Sequence, residues 1–256
     1  MSYYDDNIEI FKDTRELSRG RFAEETAKAI KGTTVKVDLF KNIDSLPEVN
    51  QKVKVISSGT IQAAINNHRG RTAILNFADA LEPGGMVLQG ENTQEECFCR
   101  CSNLYECLIS GVVYSEYYQY NASLNNGGIA SNRIIYSEDV TIFKDEDYNL
   151  LDEPFKVDVI TCPAPIMCRD IDIWVERIEC ILVSAVMRNC NTIILGAFGC
   201  GAFGCGAFGN SPHLVADCFK KVLQKYSIIE DVIFAIRPTS TDNKLNNYEI
   251  FLEYLG

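Results

Sequence analysis

The residues of this chain best suited to catalysis are two adjacent carboxylates, Glu95 and Glu96, at the start of a predicted helix. They come after a Pro83-Gly84-Gly85 turn, and that turn follows an apolar run over residues 72–78 that predicts a buried strand. The main-chain amides of such a turn can approach an anion, and carboxyl groups are the usual acids and bases of glycoside cleavage. Cleavage of a sugar bond beside a phosphate would need such an arrangement of backbone amides and acids.

The two acids are expected to have different tasks. Adjacent residues of a helix point about 100° apart, so Glu95 and Glu96 should not converge on one atom. One binder and one general acid is the simpler division, and a general acid needs burial or a nearby anion to be protonated near neutrality. The alternative is a solvated pair that caps a helix N-terminus, which is the usual role of two adjacent glutamates without such a turn.

A glycine repeat forms the second candidate ligand segment, over residues 195–210. The pentamer Gly-Ala-Phe-Gly-Cys occurs twice from Gly196 to Cys205, and a partial third copy begins at Gly206. The repeat follows a predicted strand and precedes a helix start with a polar cap and Pro212, where main-chain amides and the helix dipole can hold an anion. The alternative is a tandem duplication that only lengthened a loop. Neither the lysine-containing nor the three-glycine nucleotide-binding pattern is matched.

Hydrophobic periodicity places these segments in an alternating series of helices and strands. It predicts helices over residues 13–31, 59–67, 94–111, 173–188, 212–225 and 246–254. It predicts strands over residues 33–40, 72–78, 134–143, 157–161, 192–195 and 232–236. Residues 125–128 (Asn-Asn-Gly-Gly) predict a turn or mobile loop. The alternation favours one α/β domain with a largely parallel sheet.

Composition limits the classes of protein and ligand. The net charge of −11 argues against broad nucleic-acid binding, although one anion could still be held locally by main-chain amides. No membrane span or signal peptide is expected, and eleven scattered cysteines favour a reduced cytoplasmic interior over a disulfide framework.

A cysteine cluster next to the acids is not expected to bind metal. Cys97 and Cys101 share a helix face but Cys99 points away, so the three thiols cannot converge on one ion. Buried apolar cysteines are the expected interpretation. We predict neither a metal nor a cofactor.

Several short segments, taken together and in this order, resemble the bacterial-type poly(ADP-ribose) glycohydrolases, which are macrodomains. The first part of the resemblance consists of Asn76-Phe77-Ala78, Pro83-Gly84-Gly85, Gln94-Glu95-Glu96 and Leu104-Tyr105. The second part consists of Asp158-Val159-Ile160, Pro163-Ala164-Pro165 and the glycine repeat through Pro212. The resemblance covers roughly residues 13–255, and the combination of the glycine turn with the Gln-Glu-Glu triplet is more specific than either piece.

The resemblance implies a macrodomain-like three-layer α/β/α sandwich with a mixed central sheet. It implies a single domain over residues 1–256, with a helical extension, residues 1–32, packed on it, and ADP-ribose bound across the carboxyl ends of the strands.

The resemblance also implies a role for individual residues. Glu96 would be the catalytic acid and Glu95 would hold ribose hydroxyls. Asn76 would contact the distal ribose, the amides around Gly206 and Gly209 would hold the diphosphate, and Phe208 would pack on the sugar–phosphate bend. The predicted binding residues are Asn76, Gly84, Gly85, Met86, Gln94, Phe203, Gly206, Ala207, Phe208 and Gly209.

The chain departs from the family pattern at two places. The third residue after the proline is usually glycine and here is Met86, whose side chain could narrow the ribose site or displace the turn. The glycine loop has five extra residues, so Phe203 and Phe208 compete for the sugar-packing role. We expect Phe208 to take it, because the segment from Gly209 to Pro212 fixes it relative to the helix start.

The expected activity is hydrolysis of the ribose–ribose O-glycosidic bonds of poly(ADP-ribose), with release of ADP-ribose. Two alternatives stay open: a non-catalytic ADP-ribose reader whose Met86 has closed the catalytic geometry, and a hydrolase of a mono-ADP-ribosylated substrate. The expected partner is ADP-ribose or poly(ADP-ribose), free or attached to modified proteins.

Overall fold

The computed structural model describes residues 3–37, 39–201, 208–238 and 246–256. Its helices are α1 (Tyr3–Arg19), α2 (Ala23–Lys31), α3 (Thr60–Asn67), α4 (Gln94–Cys101), α5 (Leu104–Leu108), α6 (Gly111–Val113), α7 (Gln119–Ser123), α8 (Ile171–Val186), α9 (Pro212–Lys225) and α10 (Asn247–Leu255). Its strands are β1 (Thr33–Lys36), β2 (Lys52–Ile56), β3 (Thr72–Phe77), β4 (Ile134–Lys144), β5 (Leu150–Cys162), β6 (Thr192–Leu195) and β7 (Asp231–Ala235). Shorter 3-10 helices cover Leu39–Ser45 and Val87–Gln89, and a π-helical turn covers Tyr114–Tyr118.

Within the described residues, seven strands form a mixed sheet in the order β1-β4-β5-β3-β6-β7-β2. The β3–β6, β6–β7 and β7–β2 pairs are parallel, whereas β1–β4 and β4–β5 are antiparallel. Strand β6 is buried along its whole length, as is typical of a parallel strand covered on both faces. The predicted α/β class with a mixed sheet is confirmed, and the parallel arrangement holds for only part of the sheet.

The chain separates into two compact units. The first comprises residues 1–36, 76–125 and 133–163. Inside it, α1 is attached by polar bonds: the ammonium of Lys144 lies 2.6 Å from the Asp13 carboxylate, and the Arg15 guanidinium lies 2.9 Å from Glu106. The hydroxyl of Thr14 donates to the main-chain oxygen of Arg100 at 2.7 Å, which joins α1 to α4. The N-terminal helices are therefore an integrated part of this unit.

The second unit comprises residues 37–75, 126–132 and 164–256. Its core includes an aromatic cluster in which Phe219 of α9 meets Phe234 of β7 at 5.1 Å between ring centroids, with Phe251 of α10 beside them. Helix α9 begins at Pro212 and ends at Lys225, as predicted, with proline in the first turn where its missing N–H costs nothing.

Two segments that were each predicted as one continuous helix are interrupted in the structure. Packing against residues that are distant in sequence explains both interruptions. The helix predicted over residues 13–31 begins earlier and divides into α1 and α2, because the chain turns at Gly20 and buries Phe22 in a stack on Phe143, 4.6 Å between ring centroids. The helix predicted over residues 94–111 stops after Cys101, where Asn103 bonds the main chain of Thr141 in β4 through both its own N–H and its side-chain oxygen.

The strand predictions are wrong in three further places. The strand predicted over residues 157–161 is only the second part of β5, which begins at Leu150 and pairs with β4 along its length. The strand predicted over residues 33–40 ends at Lys36, and a 3-10 helix begins at Leu39. Strand β2 was not predicted at all, although its alternating Lys-Val-Lys-Val sequence is typical of a sheet-edge strand with lysines toward solvent. The predictions for α3, α8, α10, β6 and β7 are confirmed to within two residues at each end, and so is the turn over residues 125–128. In the described part of the chain, no helix has the length and apolar character needed to cross a membrane.

Candidate active site

The Gln-Glu-Glu triplet at the start of α4 is hydrogen-bonded to the segment that runs from the last residue of β3 through the glycine turn to Met86. Each of its three side chains accepts a hydrogen bond from a main-chain N–H of that segment. The bonds run from Phe77 to Gln94 (2.8 Å), from Asp79 to Glu95 (2.7 Å) and from Met86 to Glu96 (3.0 Å). Hydrogen bonds from N–H groups to carboxylates are among the stronger ones in proteins, so the triplet fixes the path of the turn.

Helix α4 begins at the triplet because Thr93 caps it. Thr93 has extended backbone angles and forms a capping box with Glu96, the third residue of the helix. The main-chain N–H of Thr93 donates to Oε2 of Glu96 at 2.8 Å, and the Thr93 hydroxyl donates to the same oxygen. Glu95 and Glu96 are only 2% and 5% exposed, which contradicts the alternative of a solvated capping pair.

The glycine turn requires glycine for steric reasons at both positions. Gly84 has φ +72° and Gly85 has φ +59°, in the left-handed region that disfavours other residues. A Cβ on Gly85 would fall 2.4 Å from Oε1 of Glu96 and 3.2 Å from Oε2 of Glu95. The main chain of the turn is thus packed directly against both carboxyl groups.

Met86 differs from the two glycines before it in its backbone and in its exposure. Its φ of −99° and ψ of 33° suit an ordinary residue, and its side chain is 49% exposed. Its N–H still donates to Glu96. The side chain therefore has not displaced the turn from the acid.

Asn76, at the carboxyl end of β3, has one side-chain polar atom that forms no hydrogen bond among the described residues. Its side-chain nitrogen donates to Oε1 of Glu95 at 3.0 Å and to the Thr161 hydroxyl at 3.3 Å. Its side-chain oxygen is buried and has no hydrogen-bond partner among the residues that the structure describes. Buried polar atoms are rarely left unpaired, and this acceptor suits a ligand hydroxyl.

Burial perturbs the ionisable groups beside the turn. Loss of hydration raises the pKa of Glu95 well above its usual range, and the hydrogen bonds from Asp79 and Asn76 only partly oppose that shift. Burial also raises the pKa of the Cys99 thiol, and the negative charges of Glu95 and Glu96 add to that effect. The Cys99 thiol is therefore a neutral, inert group rather than a nucleophile.

The supporting residues Asp79, Thr93 and Thr161 were not singled out in the sequence. Thr93 could have been found, because threonine three residues before glutamate is the capping-box pattern. Asp79 contributes its main-chain N–H, which any residue except proline provides. Thr161 lies far along the chain, and no local pattern connects it with Asn76.

The glycine loop is described on both sides of residues 202–207. Phe198 is fully buried and packs edge-on against Trp174, 5.9 Å between ring centroids, so the first phenylalanine of the repeat belongs to the core. Gly199 has φ +71°, and a Cβ there would lie 2.5 Å from the Cβ of Ala164. Phe203, Gly206 and Ala207, which were predicted to bind ligand, lie outside the described residues.

Asn210 closes the loop at its far end. Its side-chain oxygen accepts from the N–H of Cys168 at 2.9 Å, and its side-chain nitrogen donates to the main-chain oxygens of Pro165 (2.8 Å) and Gly199 (3.1 Å). Just before it, the partly buried Phe208 accepts a hydrogen bond from the N–H of Met167 through its main-chain oxygen. Gly209 is exposed and has φ +64°. The end of the loop that carries Phe208 is thus firmly held.

The cysteines near the acids differ in exposure but have no metal-binding arrangement. Cys99, Cys101 and Cys107 are buried, and Cys97 is partly exposed. Within the described ranges, no group of three or more His, Cys, Asp or Glu side chains is placed to hold a metal ion.

Comparison with known proteins gives a family for this site. Residues 9–145 match the family model for the microbial-type PARG catalytic domain. The solved structure of poly(ADP-ribose) glycohydrolase (PARG) from Thermomonospora curvata is 26% identical, covers 98% of this chain and 100% of its own, and superposes with a TM-score of 0.87. The same enzyme bound to the inhibitor ADP-HPD is 27% identical over 97% of this chain and 99% of its own, with a TM-score of 0.85.

A second enzyme agrees with the first. PARG from Deinococcus radiodurans in complex with ADP-ribose is 28% identical, covers 90% of this chain and 96% of its own, and has a TM-score of 0.79. None of the curated protein sequences matches the chain. The fold is consistent with the predicted three-layer α/β/α sandwich of a macrodomain. The chain belongs to the microbial-type poly(ADP-ribose) glycohydrolases, a family of glycoside hydrolases that act on poly(ADP-ribose).

Proposed function

We propose that this chain hydrolyses the ribose–ribose O-glycosidic bonds of poly(ADP-ribose), with Glu96 as the proton donor and Glu95 as the binder of ribose hydroxyls. The observation that carries the proposal is the position of the Glu96 carboxyl group. It is buried, fixed through one oxygen by the glycine turn and through the other by the helix cap. A proton donor must be held within hydrogen-bond reach of the leaving oxygen, and this anchoring supplies such a position.

The proposed reaction uses one carboxyl group twice. Protonated Glu96 gives its proton to the oxygen that leaves C1 of the distal ribose, and the C–O bond breaks as an oxocarbenium-like centre forms. The resulting carboxylate then takes a proton from the attacking water, whose oxygen bonds to the same carbon. Glu96 is thereby returned to its protonated state, and the products are ADP-ribose and a chain shortened by one unit.

Glu95 is suited to positioning because both of its oxygens already accept hydrogen bonds. The Asn76 amide and the Asp79 N–H hold the carboxyl group in one orientation. The unpaired oxygen of Asn76 beside it would accept a hydrogen bond from a ribose hydroxyl. The raised pKa of Glu95 would by itself also suit a proton donor. The resemblance favours Glu96 for that role, and the variants below separate the two.

The diphosphate of the ligand is assigned to the glycine loop, through the amides of Gly206, Ala207 and Gly209, with Phe208 or Phe203 on the sugar–phosphate bend. This assignment is supported by the family resemblance and by the anchoring of the loop through Asn210. A bound diphosphate also brings negative charge, which favours protonation of a neighbouring carboxyl group. The proposed partner is poly(ADP-ribose), free or attached to modified proteins in the cytoplasm, and the net charge of −11 argues against broad nucleic-acid binding.

The test is incubation of the protein with labelled poly(ADP-ribose), followed by separation of released ADP-ribose. Wild type should release ADP-ribose, and Glu96→Gln should lose turnover by at least a hundredfold while its affinity for ADP-ribose in calorimetry stays within a fewfold of wild type. Glu95→Gln should weaken the affinity itself. Glu82→Gln is the matched control, because Glu82 is an exposed residue of the same turn region.

Three outcomes would contradict the proposal. Tight ADP-ribose binding by wild type without any cleavage, even at high enzyme concentration, would show that the protein is a non-catalytic ADP-ribose-binding module. Cleavage of a mono-ADP-ribosylated protein but not of the polymer would show that the enzyme is a hydrolase of mono-ADP-ribosylated substrates. Normal turnover by Glu96→Gln would show that another group donates the proton.

A further inference from the structure

Arg100, in the last turn of α4, is a buried cation to which the proposed reaction assigns no role. It lies four residues after Glu96, on the same face of the helix, and is 0% exposed. Its Nε donates to the hydroxyl of Tyr148 at 3.0 Å and its Nη2 donates to the side-chain oxygen of Asn92 at 2.6 Å, so both bonds go to neutral groups. Its Nη1 is buried and has no partner among the described residues. A buried charge costs free energy, and apolar side chains of similar volume are often at least as stabilising, so fold stability alone does not account for this arginine.

Tyr148, which accepts a hydrogen bond from Arg100, has an unfavourable backbone conformation. Its φ of +65° lies in the left-handed region, where residues other than glycine are uncommon. The guanidinium carbon of Arg100 lies 5.4 Å from the centroid of its ring, and its hydroxyl donates in turn to the side-chain oxygen of Asn92 at 2.9 Å. Strained backbone persists only where the surrounding contacts hold it, and it occurs often at functional sites. Both side chains thus converge on one atom, Oδ1 of Asn92.

Asn92 connects these two side chains to the cap of α4. Its oxygen accepts both bonds and its side-chain nitrogen donates to the hydroxyl of Tyr3 at 2.6 Å, so the side chain is held although the residue is exposed. The peptide group that joins Asn92 to Thr93 contains the N–H that donates to Oε2 of Glu96 at 2.8 Å. Because the orientation of this peptide group depends on the backbone of Asn92, the contacts of Asn92 determine where that N–H points. An unbroken series of contacts therefore leads from Arg100 to the carboxyl group of Glu96.

We propose that Arg100 is a positioning residue, which acts on Glu96 through Asn92. Its guanidinium, together with Tyr148, fixes Asn92 and thereby the N–H of the next residue, which anchors one oxygen of the proposed proton donor. The planar fork of arginine bonds two partners at once, which the single ammonium group of lysine does not reproduce. A small displacement of a reacting group slows a reaction without weakening ligand binding to the same extent, so this role concerns turnover. The inference rests on the proposed function, because it takes Glu96 as the proton donor.

The kinetic test compares this pair with a matched pair, Arg177 and Asn132, in the second compact unit. Arg177 is 1% exposed, and its Nε donates to the side-chain oxygen of Asn132 at 2.7 Å. Asn92→Ala and Arg100→Lys should each lower kcat for polymer hydrolysis about tenfold and leave the Kd for ADP-ribose within twofold. Asn132→Ala and Arg177→Lys should leave kcat within twofold, with every variant assayed below its Tm.

A double variant tests whether Arg100 acts through Asn92. Arg100→Lys combined with Asn92→Ala should be no slower than the slower of the two single variants, because both changes break the same series of contacts. Effects on kcat that multiply would show two independent roles and would overturn the inference. Asn92 is exposed, so Asn92→Ala should fold even if Arg100→Lys does not.

Amide hydrogen exchange followed by NMR measures the anchor of the acid without any substrate. The N–H of Thr93 should exchange about tenfold faster in Asn92→Ala and in Arg100→Lys than in wild type, the loss of roughly one hydrogen bond. The N–H of Met86, which bonds the other oxygen of Glu96, should change by less than twofold.

Three results would overturn the inference: an unchanged kcat in both Asn92→Ala and Arg100→Lys, unchanged exchange at Thr93 in those variants, or an equal fall in kcat in the control pair. If wild type does not cleave the polymer, the proposed function fails, and the exchange at Thr93 still decides whether Arg100 holds this anchor. If wild type cleaves the polymer and both variants turn over normally, only the role of Arg100 fails.

Discussion

The main-chain N–H of Met86 lies 3.0 Å from Oε1 of Glu96, so the turn holds the proposed catalytic acid with its backbone and not with a side chain. A glycine at this position could donate the same bond, and the φ of −99° does not require one. Methionine in place of the third glycine is therefore compatible with the main-chain hydrogen bond to Glu96. The Met86 side chain is half exposed, so it can change the shape of the protein surface next to the glycine turn.

Shortening that side chain should accordingly have little effect on the acid. We expect Met86→Ala to keep the free energy of unfolding within about 0.5 kcal/mol of wild type, because the side chain is half exposed and the N–H remains. Turnover of poly(ADP-ribose) should stay within a fewfold. Urea unfolding and polymer hydrolysis measure the two quantities, and a tenfold change in kcat/KM would show that the side chain contacts the substrate.

Gly85→Ala should damage both stability and activity, and a matched glycine isolates the reason. Gly127 has φ +66°, close to the +59° of Gly85, but nothing lies within 4 Å of a Cβ there. Both changes should cost about 1–2 kcal/mol for the left-handed backbone. Gly85→Ala should cost roughly 1–3 kcal/mol more because the new methyl group overlaps Glu96. Thermal unfolding and polymer hydrolysis test this, and equal effects of the two variants would exclude steric contact with the acid.

The raised pKa of Glu95 predicts a pH dependence of stability with a definite sign. The folded chain binds this proton more tightly than the unfolded chain, whose glutamate has the ordinary value of 4.5. Glu95 therefore lowers the free energy of unfolding as pH rises above 4.5, and the loss continues until the raised pKa is passed.

The difference between wild type and Glu95→Gln isolates this contribution, because glutamine does not titrate. Below pH 4.5 the difference should be constant; above it, wild type should lose up to about 1.4 kcal/mol per pH unit relative to the variant. Urea unfolding across pH 4 to 8 provides the measurement. A difference that does not change with pH, or that changes in the other direction, would contradict a raised pKa at Glu95.

Asn210 should control the glycine loop through its three hydrogen bonds. We expect Asn210→Ala to lose about 3 kcal/mol of stability, at roughly 1 kcal/mol for each bond, and to weaken ADP-ribose binding because the loop end near Phe208 is released. Asn247→Ala is the control, since it removes a single 3.3 Å bond to the main-chain oxygen of Cys200. Thermal unfolding and calorimetry compare the two variants. An unchanged affinity in Asn210→Ala would remove the support that its anchoring gives to the ligand role of the loop.

The sequence allowed the acids and their turn to be identified because the signals are local. The glycine turn and the Gln-Glu-Glu triplet lie within 14 residues of each other, and main-chain N–H groups complete their contacts whatever the intervening side chains are. The ends of the helices were less predictable. Helix α4 stops where Asn103 pairs with Thr141, and that pairing depends on a strand that no window around residue 103 contains.

The partners of Asn76 could not be predicted for the same reason. Thr161 reaches Asn76 from 85 residues along the chain. A pattern of residue types predicts which residues are buried, whereas the completeness of their hydrogen bonding depends on the assembled fold.

Because Glu96 closes the capping box of α4 with Thr93, one carboxyl group would serve both the proposed proton transfer and the start of a helix. A variant that abolishes proton transfer at this residue also changes how the helix begins, so a glutamine substitution, which keeps an acceptor oxygen, makes a better substrate-trapping reagent than an alanine. The same coupling affects how the family could diverge. A lineage that drifts from hydrolysis toward simple recognition of ADP-ribose would lose helix stability by replacing the acid, and we therefore expect such drift to begin at ligand contacts while this glutamate is retained.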